Sequence, residues 1–222
     1  FEALYTNNPT FLGNAQYNTA IGYKSLRQNT NGNGNTALGY NALNENTNGS
    51  SNTAVGSSAL LANTTGLRNV AIGTATAWNN TAGSDNIAIG TLALSTQNFN
   101  IGYGYSTGNI AIGFYSLFNN NPTVSDNGKY NTAIGYYAMK ENTIGFNNTT
   151  LGYYSAVNNT TGSYNVAIGD SSGFTLTTGN NNTLLGKKAD VITNNLTYAA
   201  AVGADATVNC SNCLALGGNL PA

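Results

Sequence analysis

Chemistry in a protein begins with side chains that can carry a proton, a metal or a covalent intermediate, and this chain is poor in them. It has no histidine, two cysteines and eight carboxylates among 222 residues. Without histidine the commonest general base and metal ligand is missing, and hydrolytic triads built on it are excluded. Glu2, Glu45, Asp85, Asp126, Glu141, Asp170, Asp190 and Asp205 are scattered, whereas a glycosidase needs two carboxylates facing one bond. Solvated turn positions account for them, and no catalytic role is assigned.

Cys210 and Cys213 form a CxxC group, the spacing of redox and zinc sites. Zinc needs two further ligands, which only three chains pooling their cysteines would supply. The leading reading is a disulfide, within or between chains, with free thiols as the alternative. Gly-rich turns such as NTNGNGN, residues 29–35, lack the lysine and helix of a phosphate-binding loop. No metal and no cofactor is expected.

Only 7 % of residues are charged and the net charge is −1, against about 25 % charged in an ordinary domain. Nothing draws the chain to nucleic acid or to an anionic membrane. The 40 Asn and 27 Gly suggest low complexity, but 41 % of residues are apolar, enough to fold. The longest apolar run, near Tyr198 to Val202, is far short of the roughly 20 residues that span a bilayer.

What would position any functional group is a repeat. The phrase NTAIGYKSL (18–26) returns as NTALGYNAL (35–43) and NTAVGSSAL (52–60), a step of 17 each time. The closing glycines are Gly13, Gly22, Gly39, Gly56, Gly73, Gly90, Gly102, Gly113, Gly135, Gly152, Gly169, Gly186, Gly203 and Gly217. Two blocks of four such steps flank an irregular centre, and the last step is 14. Counting from each glycine, position −1 is aliphatic, −2 usually Ala, −4 usually Asn, +4 often Leu, and +10 Gly in the regular copies. Ile, Val, Thr and Tyr favour strands, and the repeat is too short for a helix with its connections. Each copy reads as a strand, a bend, a second short strand and an Asn/Thr/Gly turn.

So short a unit buries no face alone, and copies must stack in parallel. The expected fold is an all-β parallel solenoid of about 13–14 coils forming one domain over 1–222. Within it, 1–17 is a cap or joining segment, 18–98 regular coils, 99–130 irregular coils, 131–203 regular coils, and 204–222 the terminal coil and tail. Stacked Asn residues form a polar ladder.

Strand alternation puts −3, −1 and +1 on one side and −4, −2 and the glycine on the other. Ile21, Leu38, Val55, Ile72, Ile89, Ile112, Ile134, Leu151, Ile168, Leu185 and Val202 then form one column. Either it faces outward as an oligomer interface, with Ala and Gly lining a thin interior, or it fills the core; the narrow coil favours the former. Tyr23, Tyr40, Tyr103, Phe114, Tyr136 and Tyr153, at +1, are a second column. They pack over the coil edge or stand exposed as an aromatic ladder suited to sugars or surfaces.

NTAIGYKSL, NVAIGTATA (69–77), NIAIGTLAL (86–94) and NVAIGDSSG (165–173) resemble the head repeats of trimeric autotransporter adhesins. The resemblance implies a left-handed parallel β-roll, three chains joined through their inner sheets, and an extracellular adhesive role. That family usually has the shorter step seen here only in the last interval, Gly203 to Gly217. The longer copies are also similar to shaft repeats of bacterial surface proteins and phage-like tail fibres, where a passage like YAAAVGADATVNCSNCLALGGN precedes an endosialidase-type chaperone.

The expectation is thus a non-enzymatic structural or adhesive segment of an extracellular appendage or fibre, on a cell surface or virion-like particle. Its partners are itself, as a homotrimer with end-to-end joining, and host, matrix or surface glycans. A tail-fibre shaft or receptor-binding segment is one alternative. An ice-binding solenoid is another, because Thr19, Thr36, Thr53, Thr132, Thr149 and Thr183 share position −3.

Overall fold

The computed structural model describes residues 2–5, 15–98 and 105–218. In each phrase the three residues before the glycine are extended: Thr19–Ile21, Thr36–Leu38, Thr53–Val55, Val70–Ile72, Ile87–Ile89, Ile110–Ile112, Thr132–Ile134, Thr149–Leu151, Val166–Ile168, Thr183–Leu185, Ala200–Val202 and Leu214–Leu216. They pair side by side in that order in one twelve-stranded sheet. Every pairing is parallel and in phase, as when Thr36, Ala37 and Leu38 meet Thr53, Ala54 and Val55. The protein is a parallel β-solenoid, its described sheet on the order of 50 Å long at about 4.8 Å per rung.

Twelve rungs are fewer than the fourteen glycine phrases. Gly13 and Gly102 lie outside the described residues. Ile87–Ile89 pairs directly with Ile110–Ile112, so the rungs that end at Gly90 and Gly113 are neighbours in the sheet.

The bend explains the invariant glycine. Gly39 has φ +139°, and a Cβ there would sit 2.4 Å from the carbonyl oxygen of Gly56 in the next coil. Neither the backbone angle nor the stacking admits a side chain. The chain then makes two successive tight turns: Ala42 N–H donates to Gly39 O, and Asn46 N–H donates to Leu43 O. Positions +2 and +4 are left-handed in coil after coil, including Lys24 (φ 55°), Leu26 (φ 48°), Tyr137 (φ 57°) and Met139 (φ 52°). Alternate left-handed residues cannot form a pleated strand, so the expected second strand is a turn in most coils. It is still laddered, since Leu26 N–H donates to Ala42 O at 2.8 Å and Leu43 N–H to Ala59 O at 3.0 Å. Among the described residues, ordinary pairing appears there only between Asp190–Val191 and Thr207–Val208, while Gly83–Ser84 and Tyr105–Ser106 pair further on, in the turn before the next rung.

The interior is a single layer of side chains from each wall. Ala37, Ala54, Ala71, Ala88, Ala111 and Ala133 from the sheet meet Leu26, Leu43, Leu60, Leu94, Leu117 and Met139 from the turns, all without solvent exposure. A second apolar cluster runs from Ala156 to Val208. The column from Ile21 to Val202 therefore points outward, and the reading of it as core is set aside. Where a turn leucine faces it, the inner sheet position has room for Ala and not for Ile.

Two Asn columns close the polar edge, where a single one was expected. The first, at −4, links coils side chain to backbone: Asn52 N–H donates to Asn35 Oδ1 at 3.0 Å, and Asn69 N–H to Asn52 Oδ1 at 2.9 Å. The second, at +7, is side chain to side chain: Asn46 Nδ2 donates to Asn29 Oδ1 at 2.8 Å, and Asn63 Nδ2 to Asn46 Oδ1 at 2.9 Å. Both columns converge on the +10 glycine, where Gly49 O accepts from Asn35 Nδ2 and Asn46 Nδ2. A Cβ at Gly49 would lie 2.2 Å from Asn46 Oδ1.

Residues before Thr19 match a wide coil found later. Leu4 N–H donates to Ser25 O at 3.1 Å, as Leu117 N–H does to Ala138 O at 3.0 Å. Glu2, Leu4, Ala15 and Tyr17 have positive φ, as do Tyr115, Leu117, Gly128 and Tyr130. The sequences agree under one shift of 113 positions, which sets Gly22 on Gly135. Phe1, Leu4, Asn7, Asn8, Pro9, Thr10, Asn14 and Tyr17–Tyr23 recur as Phe114, Leu117, Asn120, Asn121, Pro122, Thr123, Asn127 and Tyr130–Tyr136. The stretch 1–17 thus has the sequence of a coil, and Gly13 aligns with Asp126 rather than with a bend glycine.

Candidate functional site

The outward side of the sheet is a surface continuous over twelve rungs. Positions −3 and −1 alternate with the buried Ala, so Thr36 and Leu38 are exposed around a fully buried Ala37. No Asp, Glu, Lys or Arg occupies either position in any of the twelve rungs. Ile21, Leu38 and Leu151 are 60 %, 45 % and 46 % exposed. In the Thr column at −3, Thr19, Thr36 and Thr53 stand in adjacent rungs, followed by Val70, Ile87 and Ile110. Ordered water therefore meets three hydroxyl rungs and then an apolar stretch.

The second feature is aromatic. Tyr23 and Tyr40 stack at 5.5 Å with their planes 15° apart, Phe114 and Tyr136 at 5.1 Å and 19°, and Tyr136 and Tyr153 at 5.5 Å and 17°. Such separations exceed the about 3.5–4.0 Å of full face contact, so neighbouring rings overlap partly and each leaves some of its surface open. Phe114, Tyr136 and Tyr153 are 37 %, 43 % and 53 % exposed. Tyr103, expected in this ladder, lies outside the described residues.

A parallel column at +2 was not anticipated. Tyr115 stacks on Tyr137 at 5.4 Å, and Tyr137 on Tyr154 at 5.1 Å. Within each rung the two rings are tilted, Tyr136 against Tyr137 by 54° and Tyr153 against Tyr154 by 42°, both at 4.5 Å. Consecutive aromatic residues would point to opposite sides of a strand; the left-handed +2 residue brings them to one side. The doublets FY, YY and YY directly after Gly113, Gly135 and Gly152 were the available signal.

Polar groups fringe these rings. Lys140 Nζ lies 5.2 Å from the Tyr137 ring centre and 2.7 Å from Glu141 Oε1. Asn119 Nδ2 donates to Glu141 Oε2 at 2.6 Å. At the next rung, +1 is Asp170, whose Oδ1 accepts from Ser171 Oγ at 2.6 Å. Withdrawal from water, and to a lesser degree contact among the rings, pushes the Tyr136 and Tyr153 hydroxyls above their ordinary range.

The remaining candidates are dispersed. Glu2, Asp85, Asp126 and Glu141 each pair with a nearby Arg or Lys. Among the described residues no three His, Cys, Asp or Glu side chains converge as a metal site would require. Cys210 and Cys213 are joined by a disulfide in the last coil, their Cα atoms 5.6 Å apart. No helix of the described residues is long and apolar enough to cross a membrane.

The whole chain matches no protein-family model and no curated protein. The solenoid is established by its own pairing, and the likeness to adhesin and fibre repeats stands on the residues of the repeated phrase.

Proposed function

We propose that the chain is a non-enzymatic structural and adhesive segment of an extracellular appendage or fibre, and that it works as a homotrimer. The observation that carries this is the uncharged outward face of twelve rungs. A ribbon of half-exposed Ile, Leu, Val and Thr along a whole rod is a larger apolar surface than a monomer leaves in water. A second copy is the natural cover, because its rungs repeat at the same spacing and its apolar rows align with these. Three copies follow the likeness to adhesin heads. The Cys210–Cys213 disulfide supports an oxidising, extracellular setting.

Light scattering in solution tests the assembly. The expected mass is three times the 22.9 kDa of one chain, and a double variant Ile89→Asp/Ile112→Asp, central on the face, is expected to reduce it to one. A wild-type mass of a single chain overturns the trimer.

A further inference from the structure

The chain contains its own control for the aromatic surface. Under the shift that superposes its two halves, the +2 residues Glu2, Lys24 and Asn41 correspond to Tyr115, Tyr137 and Tyr154. The backbone is the same in two of the three pairs, Lys24 and Asn41 having φ 55° and 54° and Tyr137 and Tyr154 57° and 54°, and Glu2 (φ 29°) is left-handed like Tyr115 (φ 55°). The +1 ladder is present in both, with Tyr23 on Tyr40 and Tyr136 on Tyr153 at the same 5.5 Å. The fold therefore accepts polar residues at +2, and three tyrosines there are not a requirement of the coil.

We propose that Phe114, Tyr115, Tyr136, Tyr137, Tyr153 and Tyr154 form a binding surface for a neutral oligosaccharide. Partly overlapped rings offer apolar patches to the C–H faces of pyranose units, and tilted pairs across each rung give those patches two sides. The fringe supplies hydroxyl partners: Glu141, held by Asn119 and Lys140, on one flank, and Asp170 at one end. A few placed polar groups around an aromatic floor is the usual composition of a small-molecule site. Three rungs span roughly 10 Å of rod, which suits a pair of linked sugars rather than one. The low charge of the rings argues against an anionic chain. This assignment rests on the adhesive reading above, for which it names the ligand class.

The test uses the whole chain, with cellohexaose, chitohexaose and mannohexaose as probes in titration calorimetry and light scattering run alongside. The variant Tyr115→Glu/Tyr137→Lys/Tyr154→Asn places the first half's own residues on the second half's backbone, so circular dichroism and melting are expected to be unchanged. The expected result is binding of at least one probe by wild type, weakened tenfold or more in the triple variant. Lys24→Tyr/Asn41→Tyr is expected to create a second, weaker site. The proposal is overturned if wild type binds no probe or the triple variant binds as well as wild type. It is also overturned if the triple variant lowers the molecular mass, which would make the rings a contact between copies. A trimeric mass without saccharide binding defeats this assignment alone, and saccharide binding by a monomer defeats the trimer alone.

Discussion

The two halves of the rod solve one packing problem in opposite ways. In the first, Leu60 from the turn packs beside Ala71 from the sheet, both fully buried. In the second, the corresponding residues are Gly173 and Leu184, and Leu184 is again fully buried. A Cβ built on Gly173 would lie 3.1 Å from Leu184 Cδ1, so the leucine has crossed from one wall to the other and fills the same space. Asn63 of the first half is replaced by Leu176, which ends the +7 Asn column at Asn159. The coil thus constrains the volume between its walls and the path of the backbone, and leaves open which wall supplies the bulk.

If that is right, the bend glycines, which belong to the path, are equally necessary in both halves. Gly56→Ala and Gly169→Ala each put a methyl about as close to the next coil, 2.4 Å from Gly73 O and from Gly186 O, at φ +135° and +138°. Each is expected to cost roughly 3 kcal/mol or more from strain and overlap combined, measured by denaturant unfolding. A large difference between the two would break the equivalence of the halves.

The interior swap is the sharper test. Leu184→Ala alone is expected to cost about 3 kcal/mol through the cavity it leaves, and Gly173→Leu alone about 1–3 kcal/mol through overpacking. The double variant rebuilds the first half's arrangement and is expected to recover most of the loss. Leucine is admissible at 173, since Gly173 has φ 67° and Leu60 at the matching place has φ 49°. Simple additivity of the two costs would show that the walls are not exchanging volume.

These examples show what could be read from residue order and what could not. The step of 17, the Ala recurring in most rungs and the bend glycine were legible because they recur in phase, and alternation about Ala37 placed Thr36 and Leu38 on one side. The second Asn column was not, since Asn29, Asn46 and Asn63 stand among many other Asn without a distinguishing neighbour. The left-handed residues were also hidden: Lys24, Leu26 and Tyr137 are not types that announce a positive φ. That concealment carried over to the candidate site, because the +1 and +2 rings share a surface only through the left-handed residue. The coil sequence before Thr19 escaped for a simpler reason: its single recurrence, at 114–135, lies outside the regular count.

The Asn columns offer a smaller contrast. Asn46 lies inside a continuous stretch, accepting from Asn63 Nδ2 and donating to Asn29 Oδ1, whereas Asn159 Oδ1 is buried without a donor. Asn46→Leu is expected to cost about 2–3 kcal/mol, since it removes both the bond to Asn29 Oδ1 and the acceptor of Asn63 Nδ2. Asn159→Leu is expected to cost about half as much, because its oxygen has no bond to lose and the next coil already carries Leu176. Equal costs by urea unfolding would mean that column continuity adds nothing.

The smallest effect concerns charge. Asp190 replaces the turn residue that is Ala77 in the first half, and burial pushes its carboxyl above the ordinary range despite hydrogen bonds from Thr175 and Val191 N–H. A raised carboxyl binds its proton more tightly folded than unfolded. Its favourable contribution is therefore full below the unfolded value of about 3.9 and is lost as pH rises through the folded value. Asp190→Asn keeps an oxygen for Thr175 N–H and removes the titration. The variant is expected to match wild type in acid and to melt slightly higher at neutral pH, read from thermal melts across the acid range. A variant that melts lower at neutral pH would show that the ionised carboxylate gains more from its two backbone donors than burial takes away, and that the second half tolerates charge in its wall as it tolerates the exchange of bulk.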